Sequence, residues 1–247
     1  MDIRQFLDST YLKTAEQAGL SEAENIEIVK NTVSEAIAEK FKLVMIRPNM
    51  VTIAKEMITA AGSLVGVGTV IDFPEGRSST TMKLAEAQQA IDDGADDLDF
   101  VCDYIAFKNG DISHVKEQIL KCTALGLDNL KTVKWIIEVA ALDPQQIVQL
   151  SALVKNVVLS NFKEENYASV FVKSSTGFYK TEIGSPNGAT IPSIVMMLEN
   201  ASPLAIKAAG GVRNYEEAMQ MIAFGVKRIG TSAAKAIADG QQAVGTY

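Results

Sequence analysis

Three lysines sit in apolar, strand-like runs: Lys134 in LKTVKWIIEV, Lys173 in SVFVKSSTG and Lys207 in PLAIKAAGG. Lysine is rare inside a strand, because desolvating an ammonium costs free energy. Where it is buried, its pKa tends to fall and its amine becomes a nucleophile towards carbonyl carbon. The plain alternative is that each lysine lies at a strand edge and snorkels to water. Three such lysines in consecutive strands argue against that alternative. Glycine-bearing turns follow the last two runs, Ser175-Thr176-Gly177 and Gly210-Gly211. Turns of this kind present backbone N–H groups to an anion of phosphate size. An amine beside such a nest suits imine formation with a phosphorylated carbonyl compound.

The elements that must position these lysines are legible as an alternation. Strand candidates fall at 5–9, 43–47, 64–71, 97–102, 131–139, 169–174, 204–208 and 228–231. Amphipathic helical patterns lie between them, at 21–41, 79–93, 143–157 and 214–224 among others. Ser21 with Glu24 makes a capping box, Asp143 precedes Pro144, and Asn214 is a good N-cap. Eight strand–helix units in 247 residues is the arithmetic of a single-domain (β/α)8 barrel, the TIM barrel. A doubly wound sheet would show a Gly-rich turn after its first strand, and LDSTYLKT has none.

In a barrel the chemistry sits at the C-terminal ends of the strands. Alternation puts Lys173 on one face with Phe171 and Ser175, and Lys207 with Ala205 and Ala209. Lys134 shares a face with Ile136 and Glu138, and Asp99 with Asp97 and Val101. Asp99 is then the natural counter-charge for inward lysines, unless it marks a turn or an edge. Gly210-Gly211 after strand seven and Gly230-Thr231-Ser232 after strand eight form the expected phosphate site. The longest loop, 177–190, follows strand six on the same face.

Composition excludes several other chemistries. A net charge of −7 argues against a nucleic-acid or anionic-membrane partner. Nothing reads as a signal peptide or a long apolar span, so a cytoplasmic protein is expected. His114 is the only histidine and lies in a helical stretch, so a multi-histidine metal site or a His-based triad has little to rest on. Cys102 and Cys122 form no CxxC and read as small apolar residues.

With these residues in place, the chain resembles the deoxyribose-phosphate aldolases, class I aldolases on a barrel fold. The resemblance is carried by LDSTYLK, FPEGRSSTTMKLAEAQQAI, GADDLDFV, VKWIIEVAAL, FVKSSTGF, NGAT, IKAAGGVRN and RIGTSAAKAI, in family order over nearly the whole chain. It implies cleavage of 2-deoxy-D-ribose 5-phosphate to D-glyceraldehyde 3-phosphate and acetaldehyde, without cofactor or metal. It implies that Lys173 is the Schiff-base lysine, Lys207 the second active-site lysine and Asp99 the acid/base carboxylate. Lys134, Asp8 and Thr10 would line the substrate site. Gly177, Gly210, Gly211, Gly230 and Ser232 would hold the phosphate. A homodimer is implied as well. A mobile tail over 240–247 is expected, and its Tyr247 would either reach the active site as a proton donor or idle as a frayed end.

Several positions depart from the family pattern. Ser9 replaces a histidine, VMIRP places Met45 and Arg47 where cysteine and asparagine are usual, Asp72 replaces a glycine, and the loop after Gly177 is longer. Two other readings therefore stand beside the first. One is a Schiff-base aldolase of the same fold with a different donor or acceptor. The other is a barrel that binds a sugar phosphate without covalent chemistry, as an isomerase or a sensor.

Overall fold

A computed structural model describes residues 1–240. Eight parallel strands close into a barrel in chain order: β1 Leu7–Thr10, β2 Leu43–Ile46, β3 Gly66–Ile71, β4 Asp97–Val101, β5 Thr132–Ile136, β6 Val170–Lys173, β7 Ala205–Ala209 and β8 Arg228–Thr231. Each strand pairs with its sequence neighbours, and β1 pairs with β8 to close the ring. The expected (β/α)8 architecture is what the chain adopts.

The connecting helices are α1 Ala15–Ala18, α2 Glu22–Glu39, α3 Val51–Ala60, α4 Thr80–Asp92, α5 Tyr104–Lys108, α6 Ile112–Asp128, α7 Pro144–Asn161, α8 Ile191–Ala201, α9 Tyr215–Phe224 and α10 Ala234–Ala238. Local chemistry fixes their starts. Ser21 and Glu24 cap each other's backbone at α2, as do Asp143 and Gln146 at α7. The Asn214 side chain accepts from the Glu217 N–H at α9. Among the described residues, no helix is long and apolar enough to cross a membrane.

Most strand boundaries shift by one or two residues from the sequence reading and the end of β5 by three, and the shifts at β1 and β5 have a local cause. Residues Ile3–Phe6 form a 3-10 turn, held at its start by the Asp2 carboxylate accepting from Arg4 N–H, so β1 begins at Leu7. β5 stops at Ile136, because Glu138 turns the chain with φ 57° and a 3-10 turn Val139–Ala141 follows. Glu138 is thus beyond the strand whose face it was expected to share.

The outward side chains of the strands, such as Val44, Ile46, Leu98, Phe100, Ile206 and Ile229, pack beneath the helices in one continuous core. The barrel interior is divided. Leu12, Leu43, Met45 and Val70, with Phe73 and Phe178 packed on them, form an apolar wall. The opposite wall carries the buried charges Asp8, Asp97, Asp99, Lys134, Lys173, Lys207 and Arg228. Charges so deeply buried persist only when paired.

Candidate active site

Strand register builds the site. Lys173 lies beside Lys207 across β6 and β7, and Asp99 lies beside Lys134 across β4 and β5. All four point inward, and their polar ends meet. Lys173 Nζ donates to Asp99 Oδ2 at 2.8 Å, and Lys207 Nζ donates to the same oxygen at 2.9 Å. Lys134 Nζ donates to Asp99 Oδ1 at 2.7 Å. The carboxylate therefore faces three ammonium groups. Asp8 Oδ2 lies 2.6 Å from Lys207 Nζ, an ion contact outside hydrogen-bonding angles.

This crowding separates the protonation behaviour of the groups. Burial pushes the Lys173 amine down from the ordinary 10.5 to about 8, with Lys207 and Lys134 adding to the effect against the pull of Asp99. Burial alone would raise the Asp99 carboxyl, but Lys134, Lys173 and Lys207 outweigh it and hold the group well below the usual carboxylate range. For Lys134 the balance reverses, since Asp97 and Asp99 outweigh burial and hold its ammonium above the usual value. The site thus contains a buried amine inclined to lose its proton beside a carboxylate that stays ionised.

Lys173 opens into a pocket at the C-terminal mouth of the barrel. The pocket is lined by Thr10, expected at the substrate, and by Gly177, Gly210, Gly211, Gly230 and Ser232, expected at the phosphate, together with Thr176, Asn187 and Arg213, whereas Lys134 and Asp8, also expected at the substrate, lie buried behind it and are not among its lining residues. Gly210 and Gly211 take left-handed φ of 79° and 87°. Gly188 packs directly on that turn, so a Cβ there would fall 2.5 Å from the Gly210 backbone. Thr231 Oγ1 donates to Val212 C=O at 2.9 Å and ties the turn after β8 to the turn after β7. The helix after the β8 turn, α10, is only five residues long, so the nest rests chiefly on the turns' own N–H groups. A Cβ on Gly230 would meet Lys207 Cε at 3.1 Å, so the glycine leaves room for the lysine stem. Tyr247 lies outside the described residues.

Residues 12–240 match the sequence model of the DeoC/LacD family aldolases. The chain belongs to that family. It is 35% identical to a deoxyribose-phosphate aldolase of Thermococcus gammatolerans over 97% of this chain and 96% of the relative. It is likewise 35% identical to one from Streptococcus pneumoniae over the full length of both. Among solved structures, QR15, described as an aldolase, superposes with a TM-score of 0.77 at 29% identity, covering 97% of this chain and 95% of that one. The tetrameric deoxyribose phosphate aldolase of Aeropyrum pernix gives 0.77 at 25% identity, covering 96% of this chain and 89% of that one.

The departures of this aldolase from the family pattern have visible consequences. Arg47 Nε donates to Leu12 C=O at 2.7 Å, and its guanidinium lies 4.9 Å from the Phe73 ring centre, so it fastens the loop after β1 to the loop after β3. Asp72 occupies a left-handed conformation with φ 56°, as a glycine there would, and accepts from Ser78 N–H and Oγ. Arg213, Asn187 and Arg228 carry no role in the sequence reading, and Asp97 appears there only as sharing the face of Asp99. Arg213 stands inside the motif KAAGGVR, where a cation beside an anion nest was a usable signal. Arg228 stands two residues before the inward Gly230, so alternation alone would have pointed it into the barrel.

Proposed function

We propose that this aldolase cleaves 2-deoxy-D-ribose 5-phosphate to D-glyceraldehyde 3-phosphate and acetaldehyde, reversibly, through a Schiff base on Lys173. The observation that carries the reading is the Lys173 amine, held at about 8 and open to a pocket edged by glycine turns. The free amine adds to C1 of the open-chain aldehyde, and the carbinolamine loses water to give an iminium. Asp99, with Lys207 and a water, accepts the proton of the C3 hydroxyl. The C2–C3 bond then breaks, and its electron pair passes into the iminium to give an enamine. Protonation at C2 and hydrolysis release acetaldehyde and regenerate the amine. The turns holding Gly177, Gly210, Gly211, Gly230 and Ser232 bind the 5-phosphate, with Arg213 at their rim. Thr10 and the apolar wall border the reacting carbons.

The proteins named above from Thermococcus gammatolerans, Streptococcus pneumoniae and Aeropyrum pernix are deoxyribose-phosphate aldolases, which supports the substrate assignment. A homodimer and a cytoplasmic setting belong to the same reading, with Tyr247 as a proton donor to the enamine. Incubation with 2-deoxyribose 5-phosphate, with glyceraldehyde 3-phosphate and acetaldehyde measured separately, tests it. Equimolar products are expected. Acetaldehyde formed instead from an unphosphorylated or longer sugar at a higher kcat/KM would overturn the substrate assignment.

A further inference from the structure

The charged groups inside the barrel are connected in a pattern that the steps above do not use. Asp99 touches Lys134 at 2.7 Å and Lys207 at 2.9 Å. Lys134 also touches Asp97 at 2.6 Å, and Asp97 touches Arg228 at 3.2 Å. Arg228 touches Asp8 at 2.7 Å, and Asp8 touches Lys207 at 2.6 Å. The contacts close a ring, Asp8–Arg228–Asp97–Lys134–Asp99–Lys207, in which carboxylates and cations alternate. Within the ring every member meets two partners of opposite sign, and Asp99 meets Lys173 as a third. Lys173 stands outside the ring, and among the described residues its ion contact is with Asp99 alone, at 2.8 Å.

The ring crosses the barrel from mouth to floor. Asp97 lies two residues before Asp99 in β4, and it lines a floor cavity with Arg228, Lys42 and Phe171, away from the pocket that receives Lys173. Both remain 6% exposed there, while Asp8, Asp99, Lys134 and Lys207 are fully buried. Buried charges are tolerated when their neighbours compensate them. The ring compensates itself, with as many carboxylates as cations. Lys173 therefore brings an ammonium that has no carboxylate of its own.

The surroundings of Lys173 agree from every side. β4 presents Asp99, β5 presents Lys134, and β7 presents Lys207. Asp8 of β1, Arg228 of β8 and Asp97 stand behind these, while Met45 of β2 and Val70 of β3 are apolar. The remaining carboxyl nearby, Glu138, accepts from Thr176 N–H and Oγ1, and among the described residues it forms no ion pair. Burial pushes its carboxyl up against the opposing pull of the Thr176 and Ser175 hydrogen bonds and of the Lys173 charge, so it is a weaker counter-charge to Lys173 than Asp99.

We propose that Arg228 and Asp97 are positioning residues for the reaction: by closing the ring they commit each carboxylate to another cation and leave Lys173 as the one ammonium in excess. Without Arg228, Asp8 turns wholly to Lys207, and Asp99 is freed to hold the Lys173 ammonium. Without Asp97, Lys134 leans further on Asp99, and the excess of positive charge grows. Two neighbouring floor residues should thus act on the same distant amine in opposite directions. The inference rests on Lys173 being the reacting amine.

The test uses the full-length enzyme and reads Lys173 without substrate. Trace acetic anhydride is reacted across a pH series, and the acetylated Lys173 peptide is quantified by mass spectrometry, alongside pH profiles of kcat/KM. Arg228→Met should raise the midpoint by about one pH unit and lower kcat/KM at neutral pH by about tenfold, with recovery in alkali. Asp97→Asn should lower the midpoint by about half a unit to one unit. Arg228→Lys and the charge-neutral double variant, Asp97→Asn with Arg228→Met, should return near the wild-type midpoint. Where Arg228→Met does not fold, Asp97→Asn and the double variant decide the matter. Unmoved midpoints, or midpoints that move the same way in Arg228→Met and Asp97→Asn, overturn the proposal. Midpoints that move as expected in an enzyme that fails to cleave the sugar phosphate leave the ring standing and remove the assigned reaction.

Discussion

Lys207→Leu isolates what the second lysine does for the first. In the wild-type barrel Lys173 Nζ and Lys207 Nζ share one oxygen, Asp99 Oδ2, at 2.8 Å and 2.9 Å. Removing Lys207 deletes a repulsion felt by Lys173 and lets Asp99 attend to it more closely. Both effects raise the Lys173 amine from about 8, by roughly one to two units for a neighbouring charge. The sign follows directly: a free amine is needed, so activity rises as pH passes upward through the amine's midpoint. With the midpoint at about 8, about a tenth of the amine is free at neutral pH. The substitution should cut that fraction by roughly 10- to 100-fold, about 1.4–2.7 kcal/mol of apparent barrier. The fold should survive, because Asp99 keeps Lys134 and Asp8 keeps Arg228 as partners. The assay is kcat/KM against pH, with a thermal melt to confirm folding. The acid limb should move to higher pH, and alkali should recover part of the rate while the missing proton-transfer partner holds the plateau down. An acid limb that stays at its wild-type position would show that Lys207 does not set the protonation of Lys173.

Further outcomes follow from the same geometry. Gly188→Ala places a Cβ 2.5 Å from the Gly210 backbone, so it should raise KM for the phosphorylated sugar by roughly tenfold while changing kcat little, as steady-state kinetics would show. Glu138→Ala leaves the buried Thr176 N–H and hydroxyl without their acceptor and should cost about 1–3 kcal/mol in denaturant unfolding. Because the iminium is the electron sink, a chelator should leave the rate unchanged, and loss restored by a divalent ion would contradict that. Deleting Tyr247 should slow deuterium exchange into acetaldehyde more than it weakens sugar-phosphate binding. Equal exchange rates would remove Tyr247 from the mechanism.

Much of this was legible in the sequence because each signal was local. The runs around Lys134, Lys173 and Lys207 carry their own strand propensity, and Gly210-Gly211 carries its own turn. The caps at Ser21, Asp143 and Asn214 mark helix starts within a few residues. The boundary of β5 was misplaced because Ile136, Ile137 and Val139 continue the apolar run while Glu138 turns the backbone between them. The helices Val51–Ala60 and Ile191–Ala201 are not among the named patterns; the first has no side-chain cap at its start, and the second does, at Thr190. The ion ring was the least legible feature. Arg228 and Asp8 are 220 positions apart, and only the closing register of β1 with β8 brings them together. No local pattern encodes that pairing, although the inward alternation of Arg228 with Gly230 foreshadowed half of it.

Borohydride reduction of the enzyme in the presence of 2-deoxyribose 5-phosphate, followed by peptide mapping, decides whether Lys173 is the amine that forms the Schiff base. One adduct is expected, on Lys173, in the peptide containing VFVKSSTG. An adduct on Lys134 or Lys207 instead, or no adduct in an enzyme that still turns over, would contradict it.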